Sequence, residues 1–498
     1  MEETEKLEFD VIFTKLKPYG RYNLYIFVLY QLLGVGLATD IVSSFTNIGG
    51  LKPEYICHDA ALENETNQCL LLRNCTNLTV VSQFYSIYQE FEWVCIDMAV
   101  PWLFVSLGGI PAILSFLVSG HLADRFGRKW LLFGGLCVYH LFNLLAATAP
   151  SWQFLLSIGL LDNLNWPIPK SAMFPLMMET VGKKYRLLQT FALQWTFAYV
   201  VAGLVAYLSR HWRVLILVDT AISFPCLIGF FLMEESPRWL IQKKQYKRAA
   251  GVLNRIARWN GQKVRFTEEE LMEIDVGEDP KAHITDAFQL FTNKKLLQYT
   301  VAIVALSLSI GMVFRVIFMN IQDLAGSPFV NIGLMGLLRV WTPVAVIVER
   351  KVSWFGRRMQ LLGTLSVVFV FYLVISCVYA LGYREDLHTL TTALALFGYA
   401  LTVSIVWVAK DQVEAELFPT VIRATASSVT SVLGMVLGMA GPQLIYLRNY
   451  WNALPYIGAA VIIGIGLVCG FVFIPETKNR SLPDTLKSAV SQEKETTV

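Results

Sequence analysis

The stretch GHLADRFGRK, residues 120–129, decides how the rest of the sequence is interpreted. It lies between two long apolar runs, so a short charged segment joins two stretches that carry almost no charge. Glycine permits a tight turn and a close approach between helices, and charged side chains can make charge-assisted contacts at helix ends. We interpret the stretch as a tight, charged turn between two helices, built from Gly120, Asp124, Arg125, Gly127, Arg128 and Lys129.

Apolar runs dominate the composition. Of 498 residues, 55% are hydrophobic and only 16% are charged, and the mean hydropathy is +0.50. About 20 apolar residues span the hydrocarbon of a bilayer, and such runs must be helices because lipid offers no partner to the backbone. A large soluble helical protein would show amphipathic stripes instead. The sequence predicts an all-α membrane protein with twelve spans, numbered here in chain order: 23–41, 99–119, 130–149, 152–178, 188–208, 213–233, 297–319, 329–348, 359–381, 389–409, 424–446 and 453–474.

Basic residues crowd the connections that follow the even-numbered spans. The positive-inside rule makes these connections cytoplasmic, and both termini with them. Arg210 and Arg213 fall on the outer side as exceptions. The acidic N-terminus lacks a signal-peptide pattern, so the first span is expected to direct insertion. The net charge of +3 gives no indication of a nucleic-acid partner. The residues that set this topology are Arg125, Arg128, Lys129, Lys183, Lys184, Arg186, Lys243, Lys244, Lys247, Arg248, Arg350, Lys351, Arg357, Arg358 and Arg423.

The first outer connection, residues 42–97, combines cysteines with glycosylation signals on the side that the charge rule makes exterior. This combination is typical of an oxidising, extracellular environment. We expect two disulfides, with the pairing left open, and a glycosylated cap. The residues concerned are Cys57, Cys69, Cys75 and Cys95 and the sequon asparagines Asn64, Asn74 and Asn77.

Three landmarks recur in both halves of the chain. GHLADRFGRK corresponds to ERKVSWFGRR (349–358), the pair Glu179 and Arg186 to Glu416 and Arg423, and EESPRWL (234–240) to PETKNR (475–480). A duplicated six-helix unit is common among transporters, which bind their solute at the repeat interface. The predicted division is 1–22 cytoplasmic N-terminus, 23–233 first half including the loop 42–97, 234–296 cytoplasmic linker, 297–474 second half and 475–498 cytoplasmic tail. The candidate gating residues are Gly120, Asp124, Arg125, Gly127, Arg128, Glu179, Arg186, Glu235, Arg238, Glu416, Arg423 and Glu476.

These motifs resemble those of a known family. GHLADRFGRK matches the loop signature of the major facilitator superfamily, and EESPRWL and PETK resemble both its sugar porters and its organic cation/anion/zwitterion transporters. AELFPTVIR (415–423), FEWVC (91–95) and the long cysteine-bearing loop resemble the organic-ion transporters, including the carnitine type, over roughly residues 10–485. The resemblance implies the twelve-helix fold in two halves, a plasma-membrane location and alternating access to small organic ions. No catalytic, metal or nucleotide constellation is found, so neither an enzyme nor a cofactor is expected.

Two arginines lie within expected spans, where charge is costly and usually functional. Arg339 lies about ten residues into the eighth span, roughly 15 Å deep at about 1.5 Å per residue, and Pro343 removes the helical partner of its carbonyl. We interpret it as part of a wet cavity wall; the alternative is a structural ion pair. Arg315 lies in the outer half of the seventh span, and a snorkelling anchor is the equal alternative.

The fourth span holds Asp162 within LLDNLNWPIPKSAMF (160–174), where two prolines break the helix. This carboxyl could pair with an arginine, contact a cation or carry a coupling proton. Aromatic rings could offer faces to a cation, although most aromatics in such proteins only pack. The candidate substrate-binding residues are Arg339, Arg315, Asp162, Asn165, Trp166, Gln194, Phe314, Trp341 and Met435, with Trp195 and Tyr199 as weaker candidates.

The charge preference depends on departures from the family pattern. Cation carriers typically have an acid twelve residues after the arginine of ELFPTVIR, and anion and carnitine-type carriers an arginine; this chain has Met435. Cation carriers resemble the chain around Arg339 but have a glutamate there. Because guanidinium groups bind carboxylates in a bidentate manner, we favour organic anions or zwitterions. The alternatives are an organic cation transporter, a sugar or polyol porter and a non-transporting receptor or scaffold.

The last four residues, ETTV (495–498), match a ligand for the groove of a PDZ-type domain, which captures a terminal carboxylate at a sheet edge. A tail without a partner is the alternative. The expected partners are therefore a small organic ion, the lipid bilayer and a PDZ-domain protein.

Overall fold

The structure is a computed structural model. It describes residues 7–8, 12–17, 19–43, 48–59, 68–95, 106–181, 193–272, 274–275, 290–341, 356–418 and 422–477.

Each of the twelve expected spans contains helix, as the hydropathy of the sequence predicts. Within the described residues, seven helical segments are long and apolar enough to cross a membrane. The helices of the twelve spans are Arg21–Ser43; Gly109–Phe126; Arg128–Ala147; Trp152–Asn165 with Pro167–Met178; Leu193–Ser209; Trp212–Ser223 with Phe224–Ile228 and Gly229–Leu232; Lys294–Met319; Pro328–Leu337 with Leu338–Val340; Arg357–Ala380; His388–Leu401 with Thr402–Val406 and Trp407–Leu417; Arg423–Gly438 with Gly441–Tyr446; and Leu454–Phe473.

Several spans leave α-helical geometry near their middle. The fourth span breaks at Trp166 because Pro167 begins the next helix and has no N–H to donate. The eighth span passes from α-helix into a 3₁₀ turn at Leu338–Val340, shortly before Pro343, which lies outside the described residues. The tenth span contains a π-helical segment at Thr402–Val406, a geometry that is frequent at functional sites.

The outer loop is a small disulfide-bonded unit. Strands Glu54–Cys57 and Leu78–Val81 pair in antiparallel fashion beside the helix Gln68–Asn74. The prediction of two disulfides is confirmed, and the structure supplies the pairing: Cys57–Cys75 and Cys69–Cys95. Asn74 and Asn77 are exposed, as glycosylation requires, whereas Asn64 lies outside the described residues.

Contacts with the outer loop explain one exception to the charge rule. Arg213 donates from Nε to Glu90 Oε1 at 3.1 Å, and Trp212 donates from Nε1 to Glu90 Oε2 at 2.6 Å. Burial alone would raise the pKa of the Glu90 carboxyl, but these two donors hold the pKa below its ordinary value. The positive charge of Arg213 is therefore compensated on the side where it was unexpected.

The described part of the expected linker is helical and shares a core with the first, third and fourth spans. Its helices are Pro237–Gln242, Tyr246–Trp259 and Glu268–Met272, and strand Leu7–Glu8 pairs in parallel with Ile274–Asp275. The remaining short helices are Ile12–Lys15, Ile48–Gly50, Ile87–Glu90, Trp93–Cys95, Ile321–Asp323 and Leu447–Asn449.

Residues of the chain cluster into two compact units. One comprises Met1–Ala38, Pro111–Trp195 and Ile216–Lys281, and its core joins residues of the first, third and fourth spans to the linker helices. The other comprises Thr39–Ile110, Thr196–Leu215 and Ala282–Val498.

Candidate functional site

Arg339 lies against two tyrosines of the second unit. Its Nη1 donates to the Tyr399 hydroxyl at 3.4 Å, and its guanidinium carbon lies 5.6 Å from the centroid of the Tyr199 ring. The Tyr399 hydroxyl in turn donates to that of Tyr199 at 2.9 Å. Both tyrosines are fully buried, whereas Arg339 is half-buried. The cation is thus oriented by aromatic faces and hydroxyl groups while part of it stays accessible.

Two phenylalanines of the seventh span extend this aromatic wall. The rings of Phe314 and Phe318 lie 6.0 and 5.9 Å from that of Tyr399, and Phe318 lies 5.7 Å from Tyr199. Phe314 and Phe318 are 4.5 Å apart. We call Tyr199, Phe314, Phe318 and Tyr399 the aromatic cluster. Two of the candidates from the sequence, Arg339 and Phe314, therefore lie beside the same residue, Tyr399.

Glycines let the fifth and eighth spans approach closely enough to form this cluster. A Cβ atom on Gly336 would lie 2.7 Å from Tyr199 Cβ, and one on Gly203 would lie 2.7 Å from the carbonyl oxygen of Phe329. Real Cβ atoms do not approach so closely, so larger residues would force the helices apart. The position of the Tyr199 ring beside Arg339 therefore depends on small residues.

Arg315 has different surroundings. Its side chain lies along the eleventh span, where a Cβ on Gly441 would be 3.1 Å from Arg315 Nε and a Cβ on Gly438 would be 3.3 Å from Nη2. A Cβ on Gly434 would lie 3.3 Å from Ser307 Cβ, so small residues bring these two spans together. The guanidinium thus occupies a groove over glycine backbone, and Met435 on the same span is half-buried.

The fourth span carries a second set of candidates, all in the first unit. The buried Asn165 donates from Nδ2 to the carbonyl of Gly135 at 3.0 Å, which ties the broken helix to the third span. Trp166 lies 6.2 Å from the ring of Phe116. Asp162 is half-buried one turn earlier. Asn165 therefore has a structural role, and Trp166 and Asp162 remain candidates.

Gln194 and Trp341 are also located. Gln194 is buried and contacts the first span: its N–H donates to Gln31 Oε1 at 2.7 Å, and its Nε2 donates to the Tyr30 hydroxyl at 3.3 Å. Trp341 is 60% exposed. Neither residue shows a described contact with the aromatic cluster.

Lys170 is a charged residue that the sequence reasoning missed. It lies within the fourth span, its side chain is exposed, and its Nζ is 4.2 Å from the centroid of the Trp166 ring. The one-turn spacing from Trp166 and the rule that charges in spans are functional would have found it. Asp219, which is buried in the sixth span, was missed in the same way.

In the first unit, one carboxylate caps the N-terminus of a helix. Glu235 Oε1 accepts from the N–H groups of Arg128 and Lys129 at 3.1 Å each, which satisfies free donors at the start of the third span. The Arg128 side chain pairs with Glu179 and donates to Ser236 Oγ at 3.2 Å. Gly127 has φ of 95°, and a Cβ there would lie 2.6 Å from Glu235 Oε2. The end of GHLADRFGRK thus binds the buried carboxylate of Glu235 through its backbone N–H groups.

The second unit repeats this arrangement. Glu476 accepts from the N–H of Arg357 at 3.0 Å and from that of Arg358 at 3.2 Å, and Arg357 pairs with Glu416. Each copy thus combines a capping glutamate with an arginine–glutamate pair, as the internal repeat predicts.

The other gating candidates are placed as follows. Asp124 lies 3.6 Å from Arg128, and Arg125 is exposed. Gly120 has open space around it, and Arg238 begins the linker helices. Arg186 and the side chain of Arg423 lie outside the described residues.

Lys410, in the last helix of the tenth span, is a structural residue. Its Nζ donates to the buried Glu414 at 3.0 Å and lies 2.7 Å from Asp411. These contacts hold Lys410 in an ion-pair cluster.

Comparisons with known proteins identify the class and then the family. In fold, the chain resembles the inward-open xylose transporter XylE from E. coli, with a TM-score of 0.65 at 16% identity over 93% of this chain and 98% of that one. The family model "Sugar (and other) transporter" matches residues 77–485. "Solute carrier family 22 member 1" from Bos taurus is 30% identical over 81% of this chain and 70% of that protein. "Organic cation/carnitine transporter 2" from Homo sapiens is 28% identical over 80% and 71%. The chain is a transporter of the major facilitator fold. It belongs to the organic-ion transporter family of that superfamily, solute carrier family 22.

Proposed function

We propose that the protein is a plasma-membrane transporter of small organic anions or zwitterions that works by alternating access. The observation that carries this proposal is the half-buried guanidinium of Arg339 against the aromatic cluster, within an expected span. A permanent charge at this depth is costly, so it is retained where it has a function.

The chemistry of the Arg339 environment favours a carboxylate ligand. A guanidinium offers two parallel N–H donors that match the two oxygens of a carboxylate, and such bidentate bonds are stronger than neutral hydrogen bonds. The Tyr199 ring and the Tyr399 hydroxyl limit the orientations of the side chain. A guanidinium group that is already oriented loses less conformational entropy on ligand binding than a mobile one. The aromatic faces can pack against the apolar part of an organic ion.

Zwitterions are included because the chain also places an acid and an aromatic ring within a span. The Asp162 carboxyl can attract an ammonium group by charge, and the Trp166 ring already has the Lys170 ammonium 4.2 Å from its centroid. The human relative named for organic cation and carnitine transport supports this extension. Cation transport is the second candidate, because the name of the same human relative specifies organic cations.

The test is uptake of four labelled solutes, one anion, one zwitterion, one cation and one pentose, by cells that display the protein at the surface. We expect saturable uptake of the anion or the zwitterion that exceeds cation uptake. Dominant cation uptake would support the second candidate, and saturable uptake of a labelled pentose would support the sugar porter. Absence of all fluxes, with surface display verified, would support a receptor or scaffold.

The remaining assignments belong to the same proposal. Glycosylation at Asn64, Asn74 and Asn77 and cytoplasmic termini accompany the plasma-membrane location, and the tail ETTV would bind a PDZ-domain protein. The two carboxylate-capped clusters would change their contacts during the transport cycle. The division at 233 and 297 stays a prediction.

A further inference from the structure

The linker carries a face of unusual charge. Residues 237–266 contain nine basic residues and no acid. In the helix Tyr246–Trp259 the apolar residues, such as Val252, Leu253 and Ile256, are buried, whereas Lys247, Arg248 and Arg258 are exposed. Lys243 and Lys244 are exposed just before this helix. We call Lys243, Lys244, Lys247, Arg248 and Arg258 the basic face.

Hydrogen bonds fix one end of this helix to the start of the first span. The N–H of Tyr22 donates to Asn260 Oδ1 at 3.0 Å, and the N–H of Lys17 donates to Gln262 Oε1 at 3.0 Å. The helix of the first span begins at Arg21. Because that span enters the bilayer within a turn or two of Tyr22, these bonds hold Asn260 and Gln262 at the level of the lipid headgroups.

The other contacts agree with this level. Trp259 is 49% exposed and its ring lies 5.3 Å from that of Tyr25, in the first turns of the first span. Exposed tryptophan and tyrosine are enriched at the boundary between headgroups and hydrocarbon. Arg255 donates from Nη2 to Glu234 Oε2 at 2.7 Å, and Glu234 directly follows the sixth span. The helix is therefore tied to two spans at their cytoplasmic ends.

We propose that the basic face binds anionic phospholipid headgroups of the cytoplasmic leaflet. Clusters of four to eight basic residues on an amphipathic helix beside a span attract anionic lipids, because each cation near the surface contributes to the attraction. Lysine and arginine can also extend their charged ends to the headgroups along apolar stems. The site lies within the first unit and is independent of the solute that is transported.

The test titrates fluorescently labelled phosphatidylserine or phosphatidylcholine into the purified full-length protein in neutral detergent micelles and reads fluorescence anisotropy. Each surface cation contributes roughly fivefold in affinity. The double variant Lys247→Gln with Arg248→Gln is therefore expected to bind phosphatidylserine about 30-fold more weakly. Phosphatidylcholine binding is expected to stay the same.

The matched control is Arg73→Gln with Arg210→Gln, which removes two exposed charges from the outer side. It should leave the phosphatidylserine affinity at the wild-type value. Equal phosphatidylserine affinities in the wild type and the linker variant would overturn the proposal. Equal losses in both double variants would overturn it as well, since net charge rather than the basic face would then govern binding. Thermal unfolding of each variant verifies that the fold is retained.

Discussion

Arg315 and Arg339 carry the same permanent charge on consecutive spans, but the structure surrounds them differently. Arg339 contacts the Tyr399 hydroxyl and the Tyr199 ring, and both groups orient its guanidinium. Arg315 lies in a groove over Gly438 and Gly441. We propose that Arg339 meets a solute, whereas Arg315 fills a packed groove. The surroundings in the structure distinguish the two arginines, whereas in the sequence both are single charges in apolar spans.

The largest expected effect is on removing the charge beside the aromatic cluster. Arg339→Ala should lower the uptake efficiency for organic anions by about 100-fold or more, because a charge-assisted, bidentate contact in low dielectric is lost. Arg339→Lys keeps the charge but loses the fork, so it should lose about tenfold. The measurement is the concentration dependence of anion uptake, normalised to surface protein. Unchanged apparent affinity in Arg339→Ala would show that the site assignment is wrong.

Packing, rather than uptake, should reveal the role of the groove around Arg315. Gly441→Ala places a Cβ 3.1 Å from Arg315 Nε and is expected to destabilise the protein by about 1–3 kcal/mol. Thermal unfolding in detergent measures the change. The double variant with Arg315→Ala should regain most of the lost stability, because the side chain that the new Cβ would clash with is then absent.

Gly311→Ala, on the seventh span with Arg315, is the matched control, since a Cβ there has nothing within 4 Å. It should leave the unfolding temperature unchanged or raise it slightly. A loss equal to that of Gly441→Ala would mean that glycine flexibility, rather than the Arg315 groove, determines stability.

A smaller effect is expected from the hydroxyl that orients Arg339. Tyr399→Phe should raise the apparent KM for anion uptake about fivefold, since one hydrogen bond contributes roughly 1 kcal/mol. Tyr372→Phe, which removes another buried hydroxyl, one that donates to the Val313 carbonyl at 3.4 Å, should leave KM unchanged. Equal KM values in the two variants would contradict an orienting role for Tyr399.

The smallest effect is expected for Arg315→Ala on solute affinity. Its charge contributes only at longer range, so the apparent KM for anions should rise less than about threefold. The same uptake series measures it. A loss comparable to that of Arg339→Ala would place both arginines in one binding site and remove the distinction.

Hydropathy predicted the twelve spans, because lipid permits few backbone arrangements, and three recurring motifs predicted the repeat. Two disulfides were also predicted, but four cysteines allow three connectivities, and only the structure could select Cys57–Cys75 and Cys69–Cys95. Tyr399 could not have been chosen from the sequence. Its proposed role depends on its position opposite Arg339, and the hydropathy of an apolar run does not indicate which residues face a neighbouring helix.

The capping glutamates differ from Tyr399, because the sequence indicated the residues but not their contacts. Glu235 and Glu476 were predicted as gating residues from repeated motifs. The structure finds Glu235 at the N-terminus of the third span and Glu476 at the N-terminus of the ninth. Their contact atoms are backbone N–H groups, which no side-chain pattern reveals. The rule that an ionisable residue within a span is a functional candidate, which selected Arg339, also applies to Lys170. Lys170 was missed because the same proline-containing stretch holds Asp162.

The most direct measurement is the ratio of labelled anion uptake to labelled cation uptake in the wild type and in Arg339→Glu, at equal surface levels. Reversing the charge against Tyr199 and Tyr399 should reverse the preference. The predicted result is a ratio above one in the wild type and below one in the variant. A ratio that stays the same in both would contradict the claim that Arg339 sets the charge of the solute.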